Sequence, residues 1–323
     1  AGCTSLKSID ITELRVTGRE VFRGCTALET VNTSEYTNIG ESMFEGCTSL
    51  RSFTYYGTYL KAGVFMGCTN MTQIIFATKE SFNGIGTSAL AETKIESVKL
   101  PSGKYTVEEN AFGGCKLLKT LDIDEAEVEF AQKAFAGAIR FESGKTSGFR
   151  VNGTANGENA KYKTVDGVLY NREMTKLIAV PEQTSEYELP ATVTELGAGS
   201  MSGLAITGTI DLGNVTKLGA YALSSSGYTS VKLNPGIKTI PEGLFAGMAK
   251  LKTVEGIEAV EEIGAYAFRN SGVESIEFPK LKKIGEYAFG NAKLKTITAE
   301  NLEEIGANAF ASTRLTAARF AKA

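Results

Sequence analysis

The residues of this chain with the widest chemical repertoire are its five cysteines, Cys3, Cys25, Cys47, Cys68 and Cys115. A thiol can hold a metal, close a disulfide or act as a nucleophile, and spacing separates these uses. The first four cysteines follow one another at 21 or 22 residues and the fifth comes 47 later, so none stands in the close C-x₂₋₄-C arrangement of a zinc knuckle. The chain has no His, which removes Ser-His-Asp and Cys-His nucleophile arrangements and every His-ligated metal centre. Carboxylates are plentiful, but the two that a glycosidase needs across a cleft are nowhere isolated by the spacing. Asp122, Asp124, Glu125, Glu127 and Glu129 form an acidic run with the oxygen ligands Ca²⁺ prefers. No EF-hand or nonapeptide Asp-Gly pattern accompanies that run, and a solvated edge accounts for it. We therefore expect no catalytic residue, no metal, no cofactor and no enzymatic activity.

The cysteine interval belongs to a repeat that runs through the chain. Ile263-Gly264-Ala265-Tyr266-Ala267-Phe268 recurs at 284–289 and 305–310, and in looser form at 218–223, 85–90 and 39–44. Its last apolar residue falls at Phe22, Phe44, Phe65, Leu90, Phe112, Phe135, Met201, Leu223, Phe245, Phe268, Phe289 and Phe310, mostly 21 to 23 residues apart. A period in this range marks a solenoid, whose units bury their apolar faces only by stacking on neighbours. In that frame the cysteines share one position, three residues after the aromatic slot, where other copies carry Ala138, Met248, Ser271, Ala292 and Thr313. A position shared with Ala, Met and Ser reads as a packing position, so five reduced thiols are expected. Disulfides between rungs about 5 Å apart remain sterically conceivable.

The first half of each repeat, as in Leu6-Lys7-Ser8-Ile9-Asp10-Ile11 and Val273-Glu274-Ser275-Ile276-Glu277-Phe278, alternates apolar and polar residues and reads as a short strand. Stacked in register, such strands make a parallel sheet. The second half is too short for a three-turn helix and is expected to cross the back of the coil as a tight turn or 3₁₀ segment. Glycine after the Ile is expected to supply a backbone conformation or a close approach that a side chain would block. Between Phe135 and Met201 the spacing breaks. Residues 142–161 read as an irregular loop, and 165–170 with 176–181 as two strands of an inserted β-hairpin. The expected fold is thus an α/β leucine-rich-repeat solenoid, β-dominated and right-handed, forming one domain over 1–323. It would comprise N-terminal repeats at 1–138, the loop and hairpin at 139–187, and C-terminal repeats at 188–323.

A formal charge of −3 leaves no electrostatic footprint for nucleic acid and no polybasic membrane patch. No apolar run approaches the ~20 residues of a membrane-spanning helix. Ala1-Gly2-Cys3-Thr4-Ser5-Leu6 aligns with Glu45-Gly46-Cys47-Thr48-Ser49-Leu50, so the sequence opens in mid-repeat and residues upstream are expected.

The I-G-x-x-A-F-x-G-C-x-x-L-x-x-I-x-I pattern, seen over Ile39 to Phe53, and the Asp-Gly-Val-Leu-Tyr segment at 166–170 leading to Ala179-Val180-Pro181, resemble the BspA-like leucine-rich repeat proteins of bacteria and protozoa. The resemblance covers nearly the whole chain. It implies a secreted or cell-surface protein of host-associated organisms, with a role in adhesion to host matrix or cell-surface proteins. It carries over no binding residue, because the recurring positions are core positions.

Specificity is expected where the repeat leaves residues unconstrained. The outward strand positions Ser8, Asp10, Thr30, Asn32, Ser52, Thr54, Lys99, Asp122, Lys232 and Glu277 form a polar face suited to contacting a protein, although a solvated sheet surface needs no partner. Tyr56 and Tyr59 flank Gly57 in a turn and complete the expected contact surface, since Tyr is enriched at interfaces. Tyr221, Tyr266 and Tyr287 share one repeat position, as an aromatic stripe or as packing between rungs. The expected function is a protein-interaction or adhesion module. A carbohydrate-binding surface protein and a passive stalk are the alternatives.

Overall fold

From residue 52 onward most repeats supply two short strands to two separate parallel ladders, and no helix occurs among the described residues. The computed structural model describes residues 1–323 except 16, 79–80, 124–125, 132, 136–137, 139–149, 153–161, 181–183, 185 and 321–323. They fall into two compact units, Ala1–Leu169 and Tyr170–Ala323.

In the first unit the L-x-x-I-x-I halves form one set of ladders. Ser8–Asp10 pairs with Thr30–Asn32, Ser52–Tyr55 with Gln73–Phe76, and Ser97–Lys99 with Thr120–Asp122 and on to Arg150–Asn152. A second ladder joins Tyr59–Leu60, Gly84–Ile85, Gly103–Val107 and Ala126–Phe130. The second unit repeats the plan. Thr209–Leu212, Ser230–Leu233 and Thr253–Glu255 form one ladder, and Ser275–Glu277, Thr296–Thr298 and Ala317–Arg319 another. Opposite them, Thr239–Ile240, Glu262–Ile263, Lys283–Ile284 and Glu304–Ile305 make a ladder of two-residue strands.

Between the ladders lies the apolar core. The aromatic slots stack rung on rung: Phe44 on Phe65 at 5.7 Å in the first unit, and Phe268 between Phe245 at 4.9 Å and Phe289 at 5.0 Å in the second. Phe44, Phe65, Leu90, Phe112, Phe245, Phe268 and Phe289 are wholly buried, and each contributes about 1.5–3 kcal/mol of hydrophobic stabilisation. The strand apolar positions Phe53, Val98, Val231 and Ile297 close the core from the sheet side.

The α/β label and the 3₁₀ back face need correction, and the inserted hairpin is not confirmed. The α/β label gives way to β-strands and turns, because the segment after Ile-Gly follows a zigzag that no helix can adopt. Alternate amides bond to the next rung (Tyr266 N to Glu286 O, Phe268 N to Ala288 O, Asn270 N to Gly290 O). The amides between them close turns within the rung (Arg269 N to Tyr266 O, Ser271 N to Phe268 O). Tyr266 and Asn270 accordingly take φ of 58°, the left-handed region, so a 3₁₀ run is interrupted every few residues. The glycine after Ile serves close approach: a Cβ on Gly264 would lie 2.7 Å from Glu242 N and one on Gly285 2.5 Å from Ala265 N. Over the expected hairpin, strands do occur at Tyr162–Val165, Val168–Asn171 and Lys176–Ala179, but Lys176–Ala179 is itself a rung, pairing in parallel with Glu195–Leu196 and through it with Lys217–Leu218. Of the expected irregular loop, Arg150–Asn152 is likewise a rung, and the rest lies outside the described residues.

Candidate functional site: an outward strand face and a tyrosine cleft

The strand face follows from the two-residue alternation of the rungs: Ile9, Phe53, Val98, Val231 and Ile276 point to the core, and their neighbours point out. Ser8, Asp10, Thr30, Asn32, Ser52, Lys99, Lys232 and Glu277 are exposed, while Thr54 and Asp122 are half-buried. Parallel register sets like positions beside each other and links them. Asp10 accepts hydrogen bonds from the hydroxyl and amide of Thr12 at 2.7 and 3.0 Å and from Asn32 at 3.2 Å, which hold its carboxyl below the usual carboxylate range. Lys232 donates to Asp211 at 3.0 Å, Lys99 and Asp122 are register partners, and Thr296 donates to Ser275 at 2.6 Å. The face is therefore a cross-linked polar surface. A large apolar residue interrupts it, Ile75, 47% exposed and paired in register with Thr54.

A cleft of about 550 Å³ opens at the downstream ends of the strands Ser52–Tyr55 and Gln73–Phe76. It is produced by unequal connectors. Phe53 pairs with Ile74 and Leu60 with Ile85, so the two rungs are locked at both ladders. Seven positions separate Phe53 from Leu60, whereas eleven separate Ile74 from Ile85. On the other side the connector from Val31 to Ile39 spans eight. The short connector 56–58 becomes a floor, with residues 35–39 and 77–78 as walls.

The floor is pinned from several directions. The Tyr55 hydroxyl, 3% exposed, donates to the Tyr59 carbonyl, Asn83 N donates to Thr58 O at 2.6 Å, and Ala77 N to Tyr55 O at 2.8 Å. Tyr59 lies across Gly84, where a Cβ would meet the ring at 3.0 Å, and its hydroxyl donates to Glu108 at 2.7 Å. Burial and that carboxylate push the Tyr59 phenol up to about 12. The other carboxylate oxygen of Glu108 accepts from Thr87 at 3.0 and 3.1 Å. Tyr59 is thus a strut between rungs. Tyr56 faces the cleft, as does Tyr36, 68% exposed and outside the expected contact surface. Its only sequence signal was a Tyr in the turn of the preceding rung, one position removed from the repeat pattern.

Other residues with chemical potential serve the packing. Cys25, Cys47, Cys68 and Cys115 are buried, Cys3 is exposed, and all five are free thiols. Cys47, Cys68 and Cys115 donate to the carbonyls of Phe22, Phe44 and Leu90 on the preceding rung at 3.0–3.1 Å, whereas Thr93 and Thr313 at the same position donate within their own turn, to Leu90 and Phe310 at 2.9 Å. Burial raises all three thiols, Cys47 to about 12 and Cys115 to about 11. Tyr266 and Tyr287 stack at 5.8 Å with rings 10° from parallel, so the stripe turns its faces inward on itself, and Tyr221 donates to Glu242 at 2.8 Å. In the acidic run Glu127 pairs with Lys104 at 3.5 Å, and Asp124 and Glu125 lie outside the described residues. Among the described residues no group of three or more Cys, Asp or Glu could hold a metal ion.

Two parallel ladders closing on a ladder of stacked aromatics define a leucine-rich-repeat β-solenoid. The chain belongs to the BspA-type leucine rich repeat family, whose model matches residues 1–63, 56–147, 182–292 and 261–323 with six copies. Among solved structures it is similar to a leucine rich cell surface protein of Faecalibacterium prausnitzii A2-165, with 19% identity, TM-score 0.55, and coverage of 100% of this chain and 75% of that one. It is also similar to a leucine-rich repeat protein of Eubacterium ventriosum, with 20% identity, TM-score 0.60, and 90% and 84% covered. At these identities the likeness is one of fold. No protein with a curated functional description matches. No helix among the described residues is long and apolar enough to cross a membrane.

Proposed function

We propose that this chain is a non-enzymatic protein-interaction module of the cell surface, engaging a host-matrix or cell-surface protein through its outward strand face. The observation that carries the reading is the register of that face. Ser, Thr, Asn, Asp and Lys side chains stand in rows across successive parallel rungs, with Ile75 as an exposed apolar residue among them. A regular polar surface of backbone-paired strands suits contact with a large partner, because little conformational entropy is lost on docking. The repeat-scaffold family and the cell-surface description of the F. prausnitzii relative agree with it.

The test is retention of purified extracellular-matrix proteins by the immobilised chain, compared with Lys99→Glu and Lys232→Glu variants. Both lysines are exposed strand-face residues outside the core. The reading expects at least one matrix protein to be retained and its affinity to fall about tenfold or more on charge reversal, as loss of an interfacial charge pair does. Retention of none, or retention indifferent to both variants, contradicts it.

A further inference from the structure

We infer that the cleft above residues 56–58 is a carbohydrate site, taking a neutral, hydroxyl-rich sugar unit against the rings of Tyr36 and Tyr56. This goes beyond the protein-contact reading of the strand face and does not depend on it. The cleft volume of about 550 Å³ lies within the ~300–1,000 Å³ typical of small-ligand sites. Its floor is rigid, held by the Tyr55, Asn83 and Ala77 hydrogen bonds and by the Tyr59–Glu108 strut, so the site exists before a ligand arrives.

The chemistry of the lining selects the ligand. Tyr55 and Tyr59 have their hydroxyls engaged by the protein, whereas Tyr36 and Tyr56 have no hydrogen-bond or ring partner among the described residues. A pyranose presents an apolar C–H face to aromatic rings and a rim of hydroxyls, each both donor and acceptor. The rim here offers both kinds of partner: the Asn38 amide and the Lys61 ammonium donate, and the Thr58 hydroxyl donates and accepts. Lys61 donates to Asn38 Oδ1 at 3.0 Å, which orients the amide NH₂ and two further ammonium hydrogens as donors. A proline-rich peptide, the other common occupant of aromatic grooves, offers mainly carbonyl acceptors and leaves the acceptor side of the Thr58 hydroxyl without a donor. A nucleic-acid strand also stacks on tyrosine, but one Lys beside one Glu provides no surplus positive charge for phosphates. The back-face tyrosines are already engaged: Tyr266 and Tyr287 stack on each other, Arg269 lies 5.5 Å over the Tyr266 ring, and Tyr221 donates to Glu242.

Saturation-transfer NMR and calorimetry on the whole chain, with maltotriose, lactose and mannotriose as probes, test this. At least one sugar is expected to receive saturation from the aromatic protons. Tyr36→Ala and Tyr56→Ala are each expected to weaken it about tenfold or more, Tyr36→Phe to retain it, and Tyr287→Ala on the back face to leave it unchanged. Tyr36 is 68% exposed, so its removal reads out binding in a folded chain even if Tyr56→Ala destabilises the floor. Absence of transfer to all three sugars, transfer indifferent to Tyr36→Ala, or capture of a proline-rich decapeptide with the sugars silent overturns the assignment. Lys99→Glu should leave sugar binding intact, so failure of the strand-face reading and failure of this one are separable.

Discussion

Rungs 52–60 and 73–85 of the first unit and rungs 275–284 and 296–305 of the second are built from the same repeat, yet their connectors differ, and a cleft opens beside the first pair. In the second pair Ile276 pairs with Ile297 and Ile284 with Ile305, and eight positions separate the two ladders in both rungs. Connectors of equal length stack flush. In the first pair seven positions face eleven across the same two pairings. The shorter connector is left below its neighbours, with Phe82 of the longer one wedged between Phe76 and Tyr105 at 5.2 and 5.0 Å. The difference teaches that the ladders fix the rungs so firmly that variation in connector length appears as surface relief. Sites in this fold can therefore arise by changing a few connector residues without touching the core.

The largest test of that comparison strikes the shared core. Phe268→Ala removes a wholly buried ring stacked on both sides and is expected to cost about 3–5 kcal/mol, read as a lowered denaturant midpoint. A melting shift of a degree or less would mean the rungs do not depend on the aromatic ladder. Gly285→Ala forces a Cβ against Ala265 N and should cost about 1–3 kcal/mol in the same assay. A neutral outcome would show that rungs can separate to admit a side chain.

Alkaline pH should loosen both units. Burial raises the native thiols of Cys47 and Cys115 from 9.0 to about 12 and 11, and the native phenols of Tyr59, Tyr221 and Tyr228 from 10.0 to about 12. Above pH 9 the unfolded chain therefore releases protons that the folded chain still holds. This part of the stability is complete below pH 9 and declines between about 9 and 12. Denaturant midpoints flat to pH 11 would contradict the buried, neutral state of these groups. Native labelling by a thiol reagent at pH 8 should modify Cys3 alone, and denatured labelling all five.

The smallest effect sharpens the comparison itself. Adding four Gly/Ser residues to connector 56–58 equalises the two connectors at a loop-entropy cost of under about 1 kcal/mol, since that entropy grows slowly with length. It should fill the cleft and reduce the solvent exposure of Tyr36, read by fluorescence quenching with acrylamide. Unchanged quenching would show that connector mismatch does not make the cleft.

The stacking was legible in the sequence because Phe, Ala and Ile recur at core positions that cannot vary freely. The second ladder was not: Glu262-Ile263 and Lys283-Ile284 are two-residue strands, too short for any alternation to register, and the turn after them follows left-handed residues as unlike as Tyr266 and Asn270. Without that ladder as a second anchor, seven positions against eleven could not be compared, and the cleft stayed hidden. Tyr56 and Tyr59 looked equivalent beside Gly57. The structure separates them, because Tyr59 is tied to Glu108, 49 residues away, a contact no local pattern encodes. Tyr36 joins Tyr56 for the same reason: their neighbourhood is set by rung stacking.

The central claim, that the outward strand face binds protein, is tested most directly by surface plasmon resonance of the immobilised chain against purified extracellular-matrix proteins, with Lys99→Glu/Lys232→Glu and Tyr36→Ala measured in parallel. The account predicts a matrix protein whose binding falls about tenfold or more in the lysine double variant and is retained in Tyr36→Ala. Binding to no matrix protein, or binding that survives reversal of both lysines, would contradict it.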